Sequence, residues 1–234
     1  MEKITLKLPD ESQMLCVVSR PKLKIKGGMI VFQEAFGVTK HVRELTKRFA
    51  DEGYLTIAPE LFHRTAKPEE IFPYDRFDLI SPHISATTTE GMQQDARVCF
   101  DWLKSEGVEK IACIGFCMGG RASFASNAVL PLKAAISFYG SNIMKAQGEC
   151  VSQQRAPLLF FWGGLDKHID SDQIQHLNSA LKEAGKRYTC VEISDAEHGF
   201  FTDDKSSYNP RASREAWSLV LQFIEEGMNS SVLK

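Results

Sequence analysis

The stretch of sequence that decides the fold is Lys110–Ala128, which reads KIACIGFCMGGRASFASNA. Its first half is a short apolar run typical of a buried strand, and from Met118 onward it is typical of a helix. A glycine-rich turn, Gly115–Gly120, joins the two halves. A strand that leads through a tight turn into a helix is characteristic of parallel sheets covered by helices.

The same alternation of strand and helix extends outward from this stretch to both ends of the chain. The predicted strands are Lys3–Leu8, Met14–Ser19, Gly28–Gln33, Tyr54–Ala58, Lys110–Gly115, Lys133–Tyr139, Pro157–Trp162 and Arg187–Ile193. The predicted helices are Thr39–Glu52, Thr89–Glu106, Met118–Ala128, Ser171–Ala184 and Pro210–Glu226. Residues 60–88 lack clear periodicity, which predicts a long irregular segment that is functional or inserted. The pattern predicts an α/β fold of three layers, with a mostly parallel central sheet between helices on both faces.

The length, composition and net charge of the chain indicate which kinds of molecule it can bind. The chain has 234 residues, a size that fits one α/β domain, so we predict a single domain over residues 1–234. Its net charge is −2 and it has no run of like charges. Nucleic acids and anionic lipids require a basic surface, so neither is an expected partner and a small molecule is favoured. We expect a monomer, with a dimer as the alternative.

The cysteines and the N-terminus indicate the compartment. The first ten residues contain no apolar core of a secretory signal, and no apolar run approaches the ~20 residues of a membrane helix. Six cysteines occur, without a C-x-x-C pair, and most of them lie in apolar runs. They are therefore expected to be reduced thiols of a cytoplasmic protein, and no metal site is expected.

The turn Gly115–Gly120 has the form G-x-nucleophile-x-G, with Cys117 in the position of the nucleophile. Glycines flank such a nucleophile because a Cβ atom there would clash with the turn or the neighbouring strand. The sulfur would lie at the start of a helix, whose free N–H groups and dipole favour a thiolate. The alternative is a buried structural cysteine in a glycine-rich turn.

A base and an orienting acid should follow, each after a later strand, in the order nucleophile, acid, histidine. Asp166 follows the strand Pro157–Trp162, and His198 follows the strand Arg187–Ile193. One ring nitrogen of His198 would take or hold the thiol proton while Asp166 fixes the tautomer. Asp170 and Asp195 are alternative acids, and His168 is an alternative base that lies too close to Asp166 in sequence.

Two backbone N–H groups are needed to hold an oxyanion, one from the residue after the nucleophile and one from the loop after an early strand. Met118 and Ala35 occupy these positions. Glu34 is unusual there, because a carboxylate near the sulfur opposes thiolate formation. It could instead accept the hydrogen bond of the Cys117 thiol, or be a surface carboxylate near the start of a helix.

Together these motifs resemble the dienelactone hydrolase family of α/β-hydrolases. The resemblance is carried by Q-E-x-F-G at Gln33–Gly37, P-E-L-F at Pro59–Phe62, G-F-C-M-G-G at Gly115–Gly120, G-G-x-D at Gly163–Asp166 and E-H-G-F-F at Glu197–Phe201. It implies a Cys117, Asp166, His198 triad, a Glu34 that holds the cysteine until substrate displaces it, and no metal or organic cofactor. It also implies hydrolysis of dienelactones, which are cyclic enol esters.

The sequence departs from that family where the substrate carboxylate is bound. Well-studied members use an arginine four residues after the catalytic histidine, and that position is Thr202 here. A second arginine would fall within residues 60–88, where Arg64 or Arg76 is a candidate, and Phe36 is a further candidate contact. Because the first arginine is missing, a charge-assisted clamp is lost. A broader carboxylic ester or lactone is therefore the predicted substrate.

The sequence thus predicts a cysteine-dependent ester or lactone hydrolase. The segment between Tyr139 and Pro157 is too short for a large helical cap, so we expect a pocket that is either open or shielded mainly by residues 60–88. Two alternatives stay open: a non-catalytic redox sensor or binding module on the same scaffold, and an acyltransferase or peptidase that uses the same triad.

Overall fold

A single eight-stranded sheet forms the centre of the computed structural model, which describes residues 1–230. The strands are β1 (Glu2–Lys7), β2 (Gln13–Ser19), β3 (Gly27–Phe32), β4 (Tyr54–Pro59), β5 (Ile111–Phe116), β6 (Ala135–Phe138), β7 (Leu158–Gly163) and β8 (Tyr188–Ile193). Their order is β1-β2-β4-β3-β5-β6-β7-β8. Strand β2 runs antiparallel to β1 and β4, and all other neighbours are parallel. The predicted mostly parallel sheet is confirmed.

Helices cover both faces of the sheet. They are α1 (Lys40–Asp51), α2 (Phe77–Ala86), α3 (Thr89–Ser105), α4 (Met118–Val129), α5 (Ile143–Gln147), α6 (Ser171–Glu183) and α7 (Pro210–Asn229). Adjacent residues of a strand point to opposite faces. A Cβ atom on Gly27 of β3 would meet Met228 of α7, whereas one on Gly28 would meet Leu103 of α3. Helices α3 and α7 therefore lie on opposite faces, as a three-layer α/β fold requires.

The central strands are buried along their whole length. Every residue of β3, β4, β5, β6 and β7 is buried, as their continuous apolar runs predict for strands covered on both faces. Near the carboxyl ends of these strands, aromatic rings stack on one another. The ring of Phe138 lies 4.3 Å from Phe161, 4.9 Å from Phe116 and 4.8 Å from Phe201, measured between centroids.

Residues 60–88 are more regular than predicted, because Phe77–Ala86 forms helix α2. The residues Phe77, Ile80 and Ile84 recur at spacings of three and four, which is a helical signal. Pro82 inside the helix and the nearby Pro68 and Pro73 obscure that signal, since proline usually breaks helices. The expectation of an irregular segment was wrong for this part of it.

The connection from β6 to β7 contains only the short helix α5 and a 3-10 turn at Gly148–Cys150. The absence of a large cap between these strands agrees with the sequence prediction. Within residues 1–230, no helix has the length and apolar character needed to cross a membrane.

The sheet brings the segments after β3, β5, β7 and β8 to one edge. Phe32 is paired with Gly115 near the ends of β3 and β5, and Gly163 is paired with Ile193 at the ends of β7 and β8. Because these strands run parallel, the loops that follow them leave the sheet on the same side. Those loops carry most of the residues that the sequence singles out.

Candidate active site

Cys117 lies in a strained turn between β5 and α4. Its backbone angles are φ 53° and ψ −113°, a conformation that residues other than glycine rarely adopt. The turn is possible because two neighbours lack side chains. A Cβ atom on Gly115 would lie 1.8 Å from the carbonyl oxygen of Gly119, and one on Gly119 would lie 2.4 Å from the carbonyl oxygen of Phe32. The sequence Gly-x-Cys-x-Gly therefore allows helix α4 to start directly against the sheet.

His198 and Asp166 form a hydrogen-bonded pair beside this turn. The distance from His198 Nδ1 to Asp166 Oδ2 is 2.7 Å. The other carboxylate oxygen, Oδ1, accepts hydrogen bonds from the backbone N–H groups of His168 at 2.7 Å and Ile169 at 3.2 Å. Asp166 is therefore held in place by its own loop, and it leaves the Nε2 side of the imidazole for another partner.

The surroundings of His198 favour its protonated form. Burial opposes the charge, but the hydrogen bond from the imidazole to Asp166 and the neighbouring Cys117 side chain outweigh it and raise the pKa of His198 from 6.5 to about 10. An imidazole in this state can stabilise a thiolate at Cys117 and later give its proton to a leaving group.

The alternative acids and base have other roles in the structure. Asp170 caps helix α6 by accepting a hydrogen bond from the N–H of Gln173 at 2.8 Å. Asp195 forms a surface ion pair with Arg211. His168 packs edge-on against the ring of His198, with centroids 5.2 Å apart. Of these three residues, only His168 lines the same cavity as Cys117.

The two N–H groups predicted to hold an oxyanion are free. Met118 is the first residue of α4, so its N–H group has no acceptor within the helix. Neither Met118 nor Ala35 donates a backbone N–H hydrogen bond to any residue among 1–230. Both residues line the cavity that contains Cys117 and His198.

That cavity has a volume of about 620 Å³ and opens at the carboxyl edge of the sheet. Helix α2 contributes one apolar wall through Phe77, Ile80 and Ile84. The loop after β3 contributes Phe36, and residues 204–207 between β8 and α7 contribute a polar wall. The cavity is large enough for a small ester or lactone and is shielded by part of residues 60–88, as the sequence predicts.

Glu34 contacts a lysine rather than the cysteine. Its Oε1 atom accepts a hydrogen bond from Lys205 Nζ at 2.9 Å, and the Glu34 side chain is buried. The same Lys205 ammonium lies over the rings of Phe36 and Tyr74, at 4.8 and 5.1 Å from their centroids. The expected hydrogen bond between Cys117 and Glu34 does not occur among the described residues. A buried carboxylate is better compensated by an ammonium group than by a thiol, which is a weak donor.

Comparisons with known proteins identify the family. The family model described as "Dienelactone hydrolase family" matches residues 14–228 of this chain. This chain belongs to the dienelactone hydrolase family. A protein of Escherichia coli O157:H7 named "Putative carboxymethylenebutenolidase" is 31% identical over 208 residues, which cover 85% of this chain and 76% of that protein. A protein of the same name from Saccharolobus solfataricus is 28% identical over 242 residues, covering 90% and 91% of the two chains.

A solved structure supports the same assignment. The "Putative Dienelactone Hydrolase" of Klebsiella pneumoniae matches with a TM-score of 0.86 and 29% identity, and the match covers 96% of this chain and 98% of that one. The resemblance and the α/β-hydrolase fold predicted from sequence are thereby confirmed. Membership of this family makes the chain a dienelactone hydrolase-like hydrolase.

The arginines that the family resemblance suggested do not lie in the cavity of this dienelactone hydrolase-like chain. Arg64 forms ion pairs with Asp10 and with the buried Asp95, away from the cavity. Arg76 precedes helix α2 and forms two hydrogen bonds with Asp78 at the surface. The structure thus contradicts both as substrate-binding residues, because local carboxylates already bind their guanidinium groups.

Thr202 is also outside the cavity lining, and its side chain is fully buried. Phe36 does line the cavity, so its role as a substrate contact stays a prediction. Sequence analysis missed two cations of the lining, Lys205 and Arg121. Arg121 carried a usable signal, since it follows Cys117 by four residues and therefore lies one helical turn away.

Proposed function

We propose that this chain hydrolyses a carboxylic ester or lactone through Cys117, His198 and Asp166, with an acyl-cysteine intermediate. One observation carries the proposal: the His198–Asp166 hydrogen bond of 2.7 Å lies beside a cysteine held at φ 53° in the same cavity. A nucleophile, a base and an orienting group in this arrangement can perform acyl transfer. The names of the curated relatives support the same class of reaction.

In the proposed reaction, the Cys117 thiolate attacks the carbonyl carbon while His198 carries the proton. The N–H groups of Met118 and Ala35 hold the oxyanion of the tetrahedral intermediate. Collapse of this intermediate breaks the bond to the alcohol oxygen, which takes the proton from His198. In a lactone, the freed hydroxyl group stays attached to the acyl group.

Deacylation reverses these roles with water. Neutral His198 takes a proton from a water molecule, and the resulting hydroxide attacks the thioester. The carboxylic acid then leaves, and the proton on His198 restores the starting thiolate and imidazolium. Asp166 keeps Nδ1 of His198 protonated throughout and so directs Nε2 toward the reacting atoms.

Replacing Cys117 by alanine tests this proposal. We expect Cys117→Ala to lower kcat/KM for a small activated ester by about 10⁴-fold or more, because the acyl-enzyme can no longer form. Cys190→Ala is the matched control, since Cys190 is the other cysteine that is not fully buried and it lies on β8. Undiminished hydrolysis by Cys117→Ala would contradict the proposal.

Alkylation separates the hydrolase from its alternatives. Iodoacetamide should abolish esterase activity in step with modification of Cys117, as followed by mass spectrometry of the intact chain. A redox sensor would be labelled at Cys117 without having any esterase activity to lose. An acyltransferase would give acylated amine rather than free acid when an amine competes with water.

A further inference from the structure

The cavity contains one cation without a partner. Two lining residues have cationic side chains, Lys205 and Arg121. Lys205 is neutralised by the buried carboxylate of Glu34. Arg121 forms no ion pair and no side-chain hydrogen bond with any residue of the described range 1–230. The carboxylate of Asp204 also lines the cavity, but it is exposed and is not paired with Arg121.

The position of Arg121 directs its side chain toward the reacting sulfur. It lies on the first turn of α4, four residues after Cys117, and residues at this spacing share one face of a helix. Side chains of a helix also lean toward its N-terminus, which here is the end that meets the cavity. The Arg121 side chain is partly buried, and its Nε atom is fully buried without a hydrogen-bond partner.

An unpartnered guanidinium in this setting is costly. Burial lowers the pKa of Arg121, and Cys117 is the group whose charge counteracts that effect. Proteins rarely leave a half-buried charge and an orphan N–H group uncompensated. The compensating group is therefore expected to come from the molecule that binds in the cavity.

Carboxylates match this group in geometry as well as in charge. The guanidinium presents two parallel N–H donors to the two oxygens of a carboxylate. We propose that Arg121 binds a carboxylate of the substrate and thereby selects carboxylate-bearing esters or lactones over neutral ones. This inference rests on the proposed ester or lactone hydrolysis at the same cavity. It gives the cavity an anion-binding group at a position different from Thr202, Arg64 and Arg76.

Two pairs of substrates test the inference. In the first pair, 4-acetoxybenzoate and its methyl ester differ by a charge on the leaving phenol. In the second, the 4-nitrophenyl monoester of terephthalate and its methyl ester differ by a charge on the acyl group. For each pair, the readout is the ratio of kcat/KM for the charged substrate to kcat/KM for the neutral one.

We expect Arg121→Gln to lower this ratio by about 10- to 100-fold in at least one pair, because a charge-assisted hydrogen bond is lost. Arg121→Lys should lower it less, since the charge remains without the bidentate geometry. Arg214→Gln, at an exposed position of α7, is the matched control and should keep the wild-type ratio. An equal loss for charged and neutral substrates would show that Arg121 acts on the thiolate, and it would overturn the inference.

A binding measurement separates this inference from the proposed hydrolysis. Terephthalate binding to Cys117→Ala is measured by calorimetry, with and without Arg121→Gln. If the wild-type chain hydrolyses none of the four esters, the proposed function fails for them, and this measurement then decides the role of Arg121. Binding that is at least 10-fold weaker without the guanidinium supports the inference. Terephthalate binding that is absent, or unchanged by Arg121→Gln, overturns it.

Discussion

At the scale of single residues, four of the charged side chains around Cys117 form two pairs, and Arg121 is a cation that is unpaired within residues 1–230. His198 is paired with Asp166, and Lys205 is paired with Glu34. The second pair removes a negative charge that would otherwise oppose a thiolate at Cys117. The positive charge of Arg121 has no such partner in the described part of the chain, and it favours both a thiolate at Cys117 and an anionic substrate.

The protonation of His198 can be tested directly. Burial opposes the charge, but Asp166 and Cys117 raise the pKa of this imidazole to about 10, so we expect it to stay charged through neutral pH. Its contribution to the free energy of unfolding is then fully present below pH ~6.5 and is lost as pH rises toward 10. Nitrogen-15 NMR of the ring atoms measures the titration in the folded chain. Asp166→Asn should lower the midpoint, and a wild-type midpoint at or below 6.5 would contradict the assignment.

At the scale of elements, helix α4 is pressed against the sheet through its first turn. Gly119 lies against the carbonyl oxygens of Phe32 and Gln33, which precede the loop that carries Ala35. The contact fixes the distance between the start of α4 and the end of β3. The two N–H groups proposed to hold the oxyanion are therefore positioned by backbone packing rather than by flexible side chains.

A single methyl group should disturb this packing. Gly115→Ala places a Cβ atom 1.8 Å from a backbone oxygen of α4, so strand and helix must separate. We expect a loss of about 3 kcal/mol or more in the free energy of unfolding, measured by urea denaturation. Gly148→Ala is the control, because its Cβ atom would meet only Met144 at 3.7 Å. Equal stability of the two variants would be incompatible with the described turn.

The elements differ in how well the sequence predicts them. The strands β3 to β7 are predictable because a continuous apolar run of this length, in a chain of alternating strands and helices, is typical of a buried parallel strand. The turn at Cys117 is predictable because a turn this tight excludes Cβ atoms two residues to either side of the nucleophile position, and the sequence has glycines there. Helix α2 is not predictable from the sequence. Its apolar residues recur only weakly at helical spacing, and the prolines in and near it argue against a helix.

The partners of charged side chains cannot be predicted in this way. Glu34 and Lys205 are separated by 171 residues, and no local pattern links them. The sequence alone does not show that Arg64 and Arg76 are paired. In the folded chain, each of them forms an ion pair with an aspartate. Pairing between charges that are far apart in sequence depends on the topology of the fold and on side-chain length. The periodicity of apolar residues in the sequence specifies neither of these.

At the scale of the whole molecule, the loops of the candidate active site pack on an aromatic core. Phe138 on β6 lies at its centre and stacks against Phe116, the residue before Cys117, and against Phe161 on β7. Phe201, three residues after His198, packs onto the same rings. Two of the three loops that carry the proposed triad are thus supported by one buried cluster.

Removing the central ring should weaken the whole domain. We expect Phe138→Ala to lower the free energy of unfolding by about 3–5 kcal/mol, because it leaves a cavity among fully buried rings. The control is Phe77→Ala, since Phe77 is 63% exposed and should change stability by about 0.5 kcal/mol or less. Thermal and urea unfolding of both variants provide the measurement. A Phe138 variant as stable as the Phe77 variant would mean that the rings do not support the fold.

The loop between β8 and α7 carries both His198 and Lys205, and its end caps α7 through Asn209. The position of the proposed base and the charge of the cavity wall therefore depend on one short segment of backbone. A shift of this backbone that repositioned Lys205 would also move His198. We expect lineages that acquire new substrates to keep the path of this loop and to diversify instead at Ser206 and Ser207, which face the cavity without holding either group.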